Sequence, residues 1–541
     1  MRIPSVVVLV LLAQMAWKGE EKLPLPSAVV EATVDSLALE YYARKFDFYP
    51  ETATLRGIPG RDGMLSTYSG RNIFKLLTVM LNARGQLTRF DEDSLGISKW
   101  GEYKAILADM ASQRYLLEDL ETWAGRPTLY VDACADGIGS LYLSGIAGVS
   151  AQSLSPRLRM VPQVVNFAHT NLTNPGRLDC RAASERLEAL TAFLREISDR
   201  PAAPQVDRDL ALKSIETLED FAVFVDSLST VAPRSVTMSY DDFVMLMDMR
   251  NMISDTPEDM RAYASRILDQ TDNEIKAYAP PDSLGARSDT APITAESLRA
   301  EAESALAFIG RRDLVGLPAG EVLRLKFFEM PEEARLLYRN MLYLESGAGE
   351  EAGHEAVLFF VPGSAEPGMT ADGIIAAEAV PGRHMQALFA DLSPYPVRRL
   401  QADIFTANGW SLYAQDLMAG EGFGGDGAAL AALERKRFYA AGTIAAVSML
   451  LGEFTIDQAA DFMVTETGIP RDRALALALQ YALEPEQPMS YIIGEKYISL
   501  MRDDMKRIQG DSFSLKSFHD SFLACGRLPL FVVRTIVLSG S

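Results

Sequence analysis

Long stretches of this chain repeat apolar residues every three or four positions, the spacing of one face of an α-helix. Residues 28–48 (AVVEATVDSLALEYYARKFDF) carry it first, followed by Pro50 near a helix start and a Gly57-Ile58-Pro59-Gly60 loop. The same period predicts helices within 73–120, with a break near Gly96, and over 160–174, 182–197, 207–231, 262–278 and 295–310. Two segments depart from it. Residues 321–329 (EVLRLKFFE) alternate and residues 356–361 (AVLFFV) are a short apolar run, so both predict strands of a small sheet. Helical spacing resumes over 428–451, 456–467, 471–483, 489–509 and 515–523. The Gly-rich stretch 420–427 (GEGFGGDG) matches neither phosphate-loop pattern and predicts a flexible loop. The expectation is a mainly α fold: one large helical domain over 28–541 with a small β-sheet next to the site helix. No repeat or long linker divides it, and the best hinge is the short segment 279–293.

Composition narrows the partners. A net charge of −21 on 541 residues repels phosphate backbones, so nucleic acid is excluded as the natural partner. The apolar run Ile3 to Ala16 is short for a membrane span and suits the core of a signal peptide, so residues 1–16 predict a leader and a periplasmic or extracellular protein. If that run is not a leader, the protein is cytoplasmic; neither case includes a stable membrane span. Three cysteines allow one disulfide at most, with Cys134–Cys180 the candidate for an exported chain. Cys525 sits in an apolar run, where a thiol is inert.

The chemistry concentrates between Ile374 and Gln415. Glu378 precedes a Pro381-Gly382 break, an Arg383-His384 pair and then Asn408-Gly409-Trp410-Ser411 on a later apolar segment. This is the outline of a helix-borne metallopeptidase site, yet the chain holds only four histidines: His169, His354, His384 and His519. His354-Glu355 has no second His four residues on and reads as a loop before a strand. His169 and His519 sit on helical patterns and read as ordinary helix residues.

In order and spacing, several motifs together resemble the bacterial domain-of-unknown-function 885 family, helical proteins related to zinc peptidases of the gluzincin type. They are Pro50-Glu51-Thr52-Ala53-Thr54 with Gly57-Ile58 and Asp62; Arg312-Asp313-Leu314-Val315 before Leu317-Pro318; and Glu378-Ala379-Val380-Pro381-Gly382 before His384 and Gln386. Gly409-Trp410-Ser411-Leu412-Tyr413-Ala414 follows, then Pro485-Glu486-Gln487 before Ser490-Tyr491 and Gly494, and Phe518-His519-Asp520 before Gly526 and Leu528-Pro529-Leu530. The resemblance covers nearly all the chain past the leader and implies that residues 290–541 form the peptidase-like half.

The family core reads His-Glu-x-x-Pro-Gly-His-His-x-Gln, and this chain departs from it where metal chemistry would reside. Ala377 stands at the leading His, Arg383 at the first of the paired His, and Asn408 at the carboxylate ligand. Farther on, Tyr439, Gly442, Ala446 and Leu450 replace the family's Arg, Arg, Asp and His. The remnant site is Glu378, His384 and Tyr491, with Gln386, Gln487 and Trp410 as cleft candidates. The resemblance implies a metallopeptidase-like pseudoenzyme that has lost the family's zinc and keeps a cleft for a peptide or partner protein. The alternatives are an active hydrolase with non-standard metal ligands and a scaffold without a cleft. Arg383 is expected to supply the positive charge beside Glu378, because a buried carboxylate needs a partner and a guanidinium fork satisfies it.

Overall fold

Capping chemistry sets where several helices begin. Thr294 and Thr455 each accept the backbone amide three residues on, while that residue's side chain answers the cap's own N–H, opening the helices at Ala295 and Ile456. Gly468, at φ 70°, closes the second of these. The computed structural model describes residues 27–540 apart from 150–152, 233–237, 279–291, 319–323, 348–354 and 364–365. The leader 1–16, most of the 279–293 hinge and His354 lie outside the described residues.

The main helices of the N-terminal part are α1 (Ser27–Phe48), α2 (Pro50–Leu55), α3 (Gly70–Leu87), α4 (Ile97–Arg114), α5 (Thr128–Ile146), α6 (Ser155–Asn171), α7 (Arg177–Asp199), α8 (Gln205–Val231), α9 (Pro257–Tyr278) and α10 (Ala295–Arg312). Three strands follow: β1 (Leu325–Glu329), β2 (Met341–Leu344) and β3 (Ala356–Phe360). Then come α11 (Arg383–Asp391), α12 (Ile404–Gly420), α13 (Gly425–Leu450), α14 (Ile456–Thr467), α15 (Arg471–Leu483), α16 (Glu486–Gln509), α17 (Leu515–Leu523) and α18 (Leu530–Ser539). The fold is mainly α with one small sheet, as the apolar pattern predicts. In that sheet β3 is central, parallel to β1 and antiparallel to β2, and all five of its residues are buried.

The helices α5 and α18 escape the periodicity. α5 (TLYVDACADGIGSLYLSGI) is buried on nearly every side and so lacks the polar face that makes a 3.6-residue period visible. α18 (LFVVRTIVLS) has the same defect over a shorter run. The strand β2 is only four residues long, too short for alternation to register.

One contiguous apolar cluster runs from Val30 to Val537, and α9 packs along α13, α7 along α8, and α12 along α16. The last pair approaches at Gly409 and Gly494: a Cβ on Gly409 would lie 2.5 Å from the Gly494 backbone, and one on Gly494 only 2.2 Å from the Phe405 carbonyl. These glycines are what let the two site helices touch.

The described residues correct two expectations. Cys134 and Cys180 are unbridged buried thiols on α5 and α7, packed as small apolar side chains rather than joined. The loop expected over 420–427 shrinks to residues 421–424, because α12 runs through Gly420, α13 starts at Gly425, and Gly422 (φ 93°) and Gly424 (φ 73°) make the tight turn between them. No helix among the described residues is long and apolar enough to cross a membrane.

Candidate functional site

Thr370 caps a one-turn helix (Ala371–Ile374) by accepting the Gly373 amide, and the chain then widens into a π-turn, Ile375–Ala379, that carries Glu378. All five residues of that turn are buried against α10, α11 and α12. Val380 is extended, the Val380–Pro381 peptide is cis, and Gly382 presses onto the turn. A Cβ on Gly382 would stand 2.0 Å from the Ala377 carbonyl oxygen, so only glycine fits. The Pro-Gly break thus folds the chain back and opens α11 at Arg383, against the residue five positions earlier.

Arg383 Nε donates to Glu378 Oε2 at 2.8 Å, the pair expected from the sequence. Its Nη2 donates to Asn408 Oδ1 on α12, also at 2.8 Å. The guanidinium therefore bridges Glu378 to Asn408. Asn408 passes the chain on: its Nδ2 donates to Ser490 Oγ at 2.8 Å, and that hydroxyl donates to the Gln487 carbonyl at 2.6 Å, both on α16. On the other side, Ser411 Oγ donates to Glu378 Oε1 at 2.9 Å.

A second cation, absent from the sequence reading, completes the centre. Arg435 on α13 is 1% exposed at its side chain; it donates to Ser411 Oγ and Gln415 Oε1, each at 3.0 Å, and reaches Glu378 Oε1 at 3.4 Å. The stacked rings of Tyr439 and Tyr491, 3.7 Å apart, lie beside its guanidinium. Arg435 hides in the run Glu434-Arg435-Lys436-Arg437, which looks like a solvated charge cluster. Its register was the available signal, since Arg435 shares a helical face with Ala431, Phe438, Tyr439 and Gly442, all buried.

Two guanidiniums decide the charge state of Glu378. Burial alone would push its carboxyl up, but Arg383 first and Arg435 second hold it below the ordinary carboxylate value. The same attraction, set against burial, raises the Arg383 guanidinium. A carboxylate whose two oxygens already accept from Arg383, Ser411 and Arg435 has little proton affinity left, which makes it a poor general base. Ser411 is fully buried and its oxygen accepts from Arg435, so it has neither access to a substrate nor a free base.

The remaining candidates scatter. His384 is buried with Nδ1 2.7 Å from the Tyr343 hydroxyl on β2, which ties α11 to the sheet. His519 joins the Leu314 carbonyl and the Tyr413 hydroxyl, and burial lowers its pKa to about 4, keeping it neutral. His169 is an exposed helix residue against Phe221 and Phe224. Tyr491 belongs to the stack beside Arg435. Of the cleft candidates, Gln487 lines a cavity. Gln386 and Trp410 are fully buried, Trp410 donating to the Pro381 carbonyl at 2.8 Å and stacking on Tyr413 and Phe522. Both are core rather than cleft, because the α11 and α12 faces that carry them point into the apolar cluster. Among the described residues no group of three or more His, Cys, Asp or Glu side chains is arranged to hold a metal ion.

Two solved structures share this architecture, which at such identities establishes the fold alone. One, a "putative lipoprotein of unknown function" from Shewanella oneidensis, aligns over 93% of this chain and 99% of its own, with a TM-score of 0.70 and 18% identity. The other, described as "the putative lipoprotein" from Colwellia psychrerythraea, aligns over 94% and 99%, with a TM-score of 0.74 and 16% identity. No curated protein matches the sequence. Residues 329–537, which hold every residue of the Glu378 centre, match the family described as "Bacterial protein of unknown function (DUF885)". Over that part the chain is similar to this bacterial family.

Proposed function

We propose that this protein is a non-catalytic relative of a zinc peptidase, in which residues 290–541 keep the peptidase-like frame and a cation built into the chain replaces the metal. The observation that carries the reading is the Arg383 bridge. It joins Glu378, at the position of the family's general base, to Asn408, at the position of its carboxylate ligand. A dication would have to displace a bound guanidinium from both, against charge repulsion.

The donor chemistry supports the same conclusion. Zinc sites use three or four convergent N, O or S donors. Ala377 offers a methyl group, Arg383 a cation, and Asn408 a neutral amide oxygen already taken by Arg383. His384 is the one imidazole of the motif, and its Nδ1 is at the Tyr343 hydroxyl. This set does not fit zinc. The function we assign is binding, of a peptide or partner, by an exported protein; the apolar run at residues 3–16 and the lipoprotein descriptions of the two structural neighbours support export.

Elemental analysis of purified full-length chain, with a broad peptide-cleavage screen, tests the reading. The expected result is no stoichiometric zinc and no cleavage; zinc near one per chain, or metal-dependent cleavage, overturns it. Gain of zinc by the triple variant Ala377→His, Arg383→His, Asn408→Glu would show that the geometry of the ligand positions survives.

A further inference from the structure

The hydrogen-bond chain Glu378–Arg383–Asn408–Ser490 ends at Gln487, and Gln487 lines a separate cavity of about 300 Å³. Its walls come from both ends of the chain: α1 and α4 and the segment 247–251 on one side, the approach to α12 and the start of α16 on the other. Buried side chains form the floor and half-buried or exposed ones the mouth, with Asp109, Asn251 and Asp403 inside and Arg250, Glu484 and Glu486 at the rim. Small-ligand sites are concave and lie preferentially where parts of a fold meet, with a few placed polar groups fixing the ligand; this cavity is more polar than most, which points to a charged ligand.

Charge defines the ligand. Four carboxylates line the cavity against two cations, and both cations are committed. Lys45 holds both oxygens of Asp109 at 2.8 and 2.7 Å, and Arg250 pairs with Glu486 at 3.2 Å. Asp403, by contrast, accepts only from neutral donors: the Thr406 amide at 2.9 Å, the Thr406 hydroxyl at 3.2 Å and Asn251 Nδ2 at 2.7 Å. Gln487 Oε1 is a further acceptor with no donor. Arg250 acts on Asp403 and Arg126 on Glu484 only through space, so carboxylates still outnumber cations in the cavity, and Gln487 Oε1 adds an acceptor without a donor; a charged N–H donor would meet both. Burial raises the Asp403 carboxyl to about 6, against the opposing charge of Arg250.

We propose that this cavity is a binding site for an ammonium or guanidinium group, held by Asp403 and Glu484 with Gln487 as the neutral acceptor. The group belongs either to a free organic amine or to a basic side chain of a peptide. This goes beyond the non-catalytic reading and is independent of it, since the cavity would take the same group on a working enzyme.

Isothermal titration of the full-length protein at low and high salt tests the site, with spermidine and agmatine as free amines and an uncharged-terminus Ala-Arg-Ala tripeptide as the peptide source. Expected is saturable one-site binding of at least one cationic probe, weakened by salt; whichever arm binds names the source. 1,4-Butanediol and glutarate, neutral and anionic, are expected not to bind. Asp403→Asn keeps a competent helix cap and removes the buried charge, and Glu484→Gln removes the rim charge without touching the core. Each is expected to weaken binding about tenfold or more, with thermal melting unchanged for Glu484→Gln. No binding by any cationic probe at millimolar concentration, equal binding of butanediol, or wild-type affinity in both variants overturns the proposal. Zinc analysis of the same samples reads the Glu378 centre separately, so failure of one reading is distinguishable from failure of the other.

Discussion

Replacing Arg383 with Met removes the guanidinium that joins the two halves of the site while keeping the length of the side chain. Two interactions go: the charge-assisted bond to Glu378 Oε2 and the bond to Asn408 Oδ1. A hydrogen bond to a charged group contributes about 1.5–3 kcal/mol, and a buried acceptor left without a donor costs about 1–3 kcal/mol. Two features reduce the total. Ser411 and Arg435 stay on Glu378 Oε1, and the Arg383 side chain is 22% exposed, so water can replace part of what is lost. The net cost is about 2–4 kcal/mol. The loss falls on the π-turn and the start of α11, so amide hydrogen exchange over residues 371–391 is the direct assay. Local opening there is expected to become on the order of a hundredfold more frequent, since each 1.4 kcal/mol is tenfold. The pH dependence supplies the second readout. Arg383 lowers the Glu378 pKa, so its ionic contribution is complete above the unfolded carboxylate value of about 4.3 and is lost as pH falls through the lower folded value. The gap between wild type and Arg383→Met should therefore be widest near neutrality and shrink in acid. A change under about threefold at neutral pH, or a gap that does not narrow in acid, would refute the buried ion pair.

Arg435→Met should cost about 3–5 kcal/mol, because it strips a fully buried guanidinium from Ser411, Gln415 and Glu378; Arg435→Lys should fail to restore the melting temperature, and full restoration would show that the planar fork is not needed. Gly494→Ala places a methyl 2.2 Å from the Phe405 carbonyl and should lower the melting temperature by forcing α12 and α16 apart, a cost of about 1–3 kcal/mol that exceeds the helix-propensity gain of about 1 kcal/mol. A raised melting temperature would contradict the close crossing. Burial, followed by Glu345, pushes the Asp391 carboxyl up to about 7. Because the folded state then binds the proton more readily than the unfolded chain, stability is lost as pH rises from about 4 to about 7. Asp391→Asn should match wild type near pH 4 and exceed it at pH 8 by about 1–3 kcal/mol, measured by denaturation at both values; equal stability at pH 8 would refute the assignment.

Periodicity along the chain was enough to specify a mainly helical body, because α1, α7, α14 and α16 each bury one face and leave the other wet, and that asymmetry is written in residue order. The Glu378–Arg383 pair was legible for a related reason: a Pro-Gly break between an acid and an Arg can fold them together, and burial demands that they meet. Only the tertiary structure decided the rest. α5 left no period because packing surrounds it, and Arg435 looked solvated because its neighbours in sequence are charged while its neighbours in space are Ser411, Gln415 and two tyrosine rings. Gln386 and Trp410 were separated from Gln487 by the same kind of fact, since which side of a buried helix faces a cavity depends on what is packed opposite. Spacing along one element can be read from the chain; the partner that completes a charge, an acceptor or a wall comes from another element, and its approach is fixed only when the whole core closes.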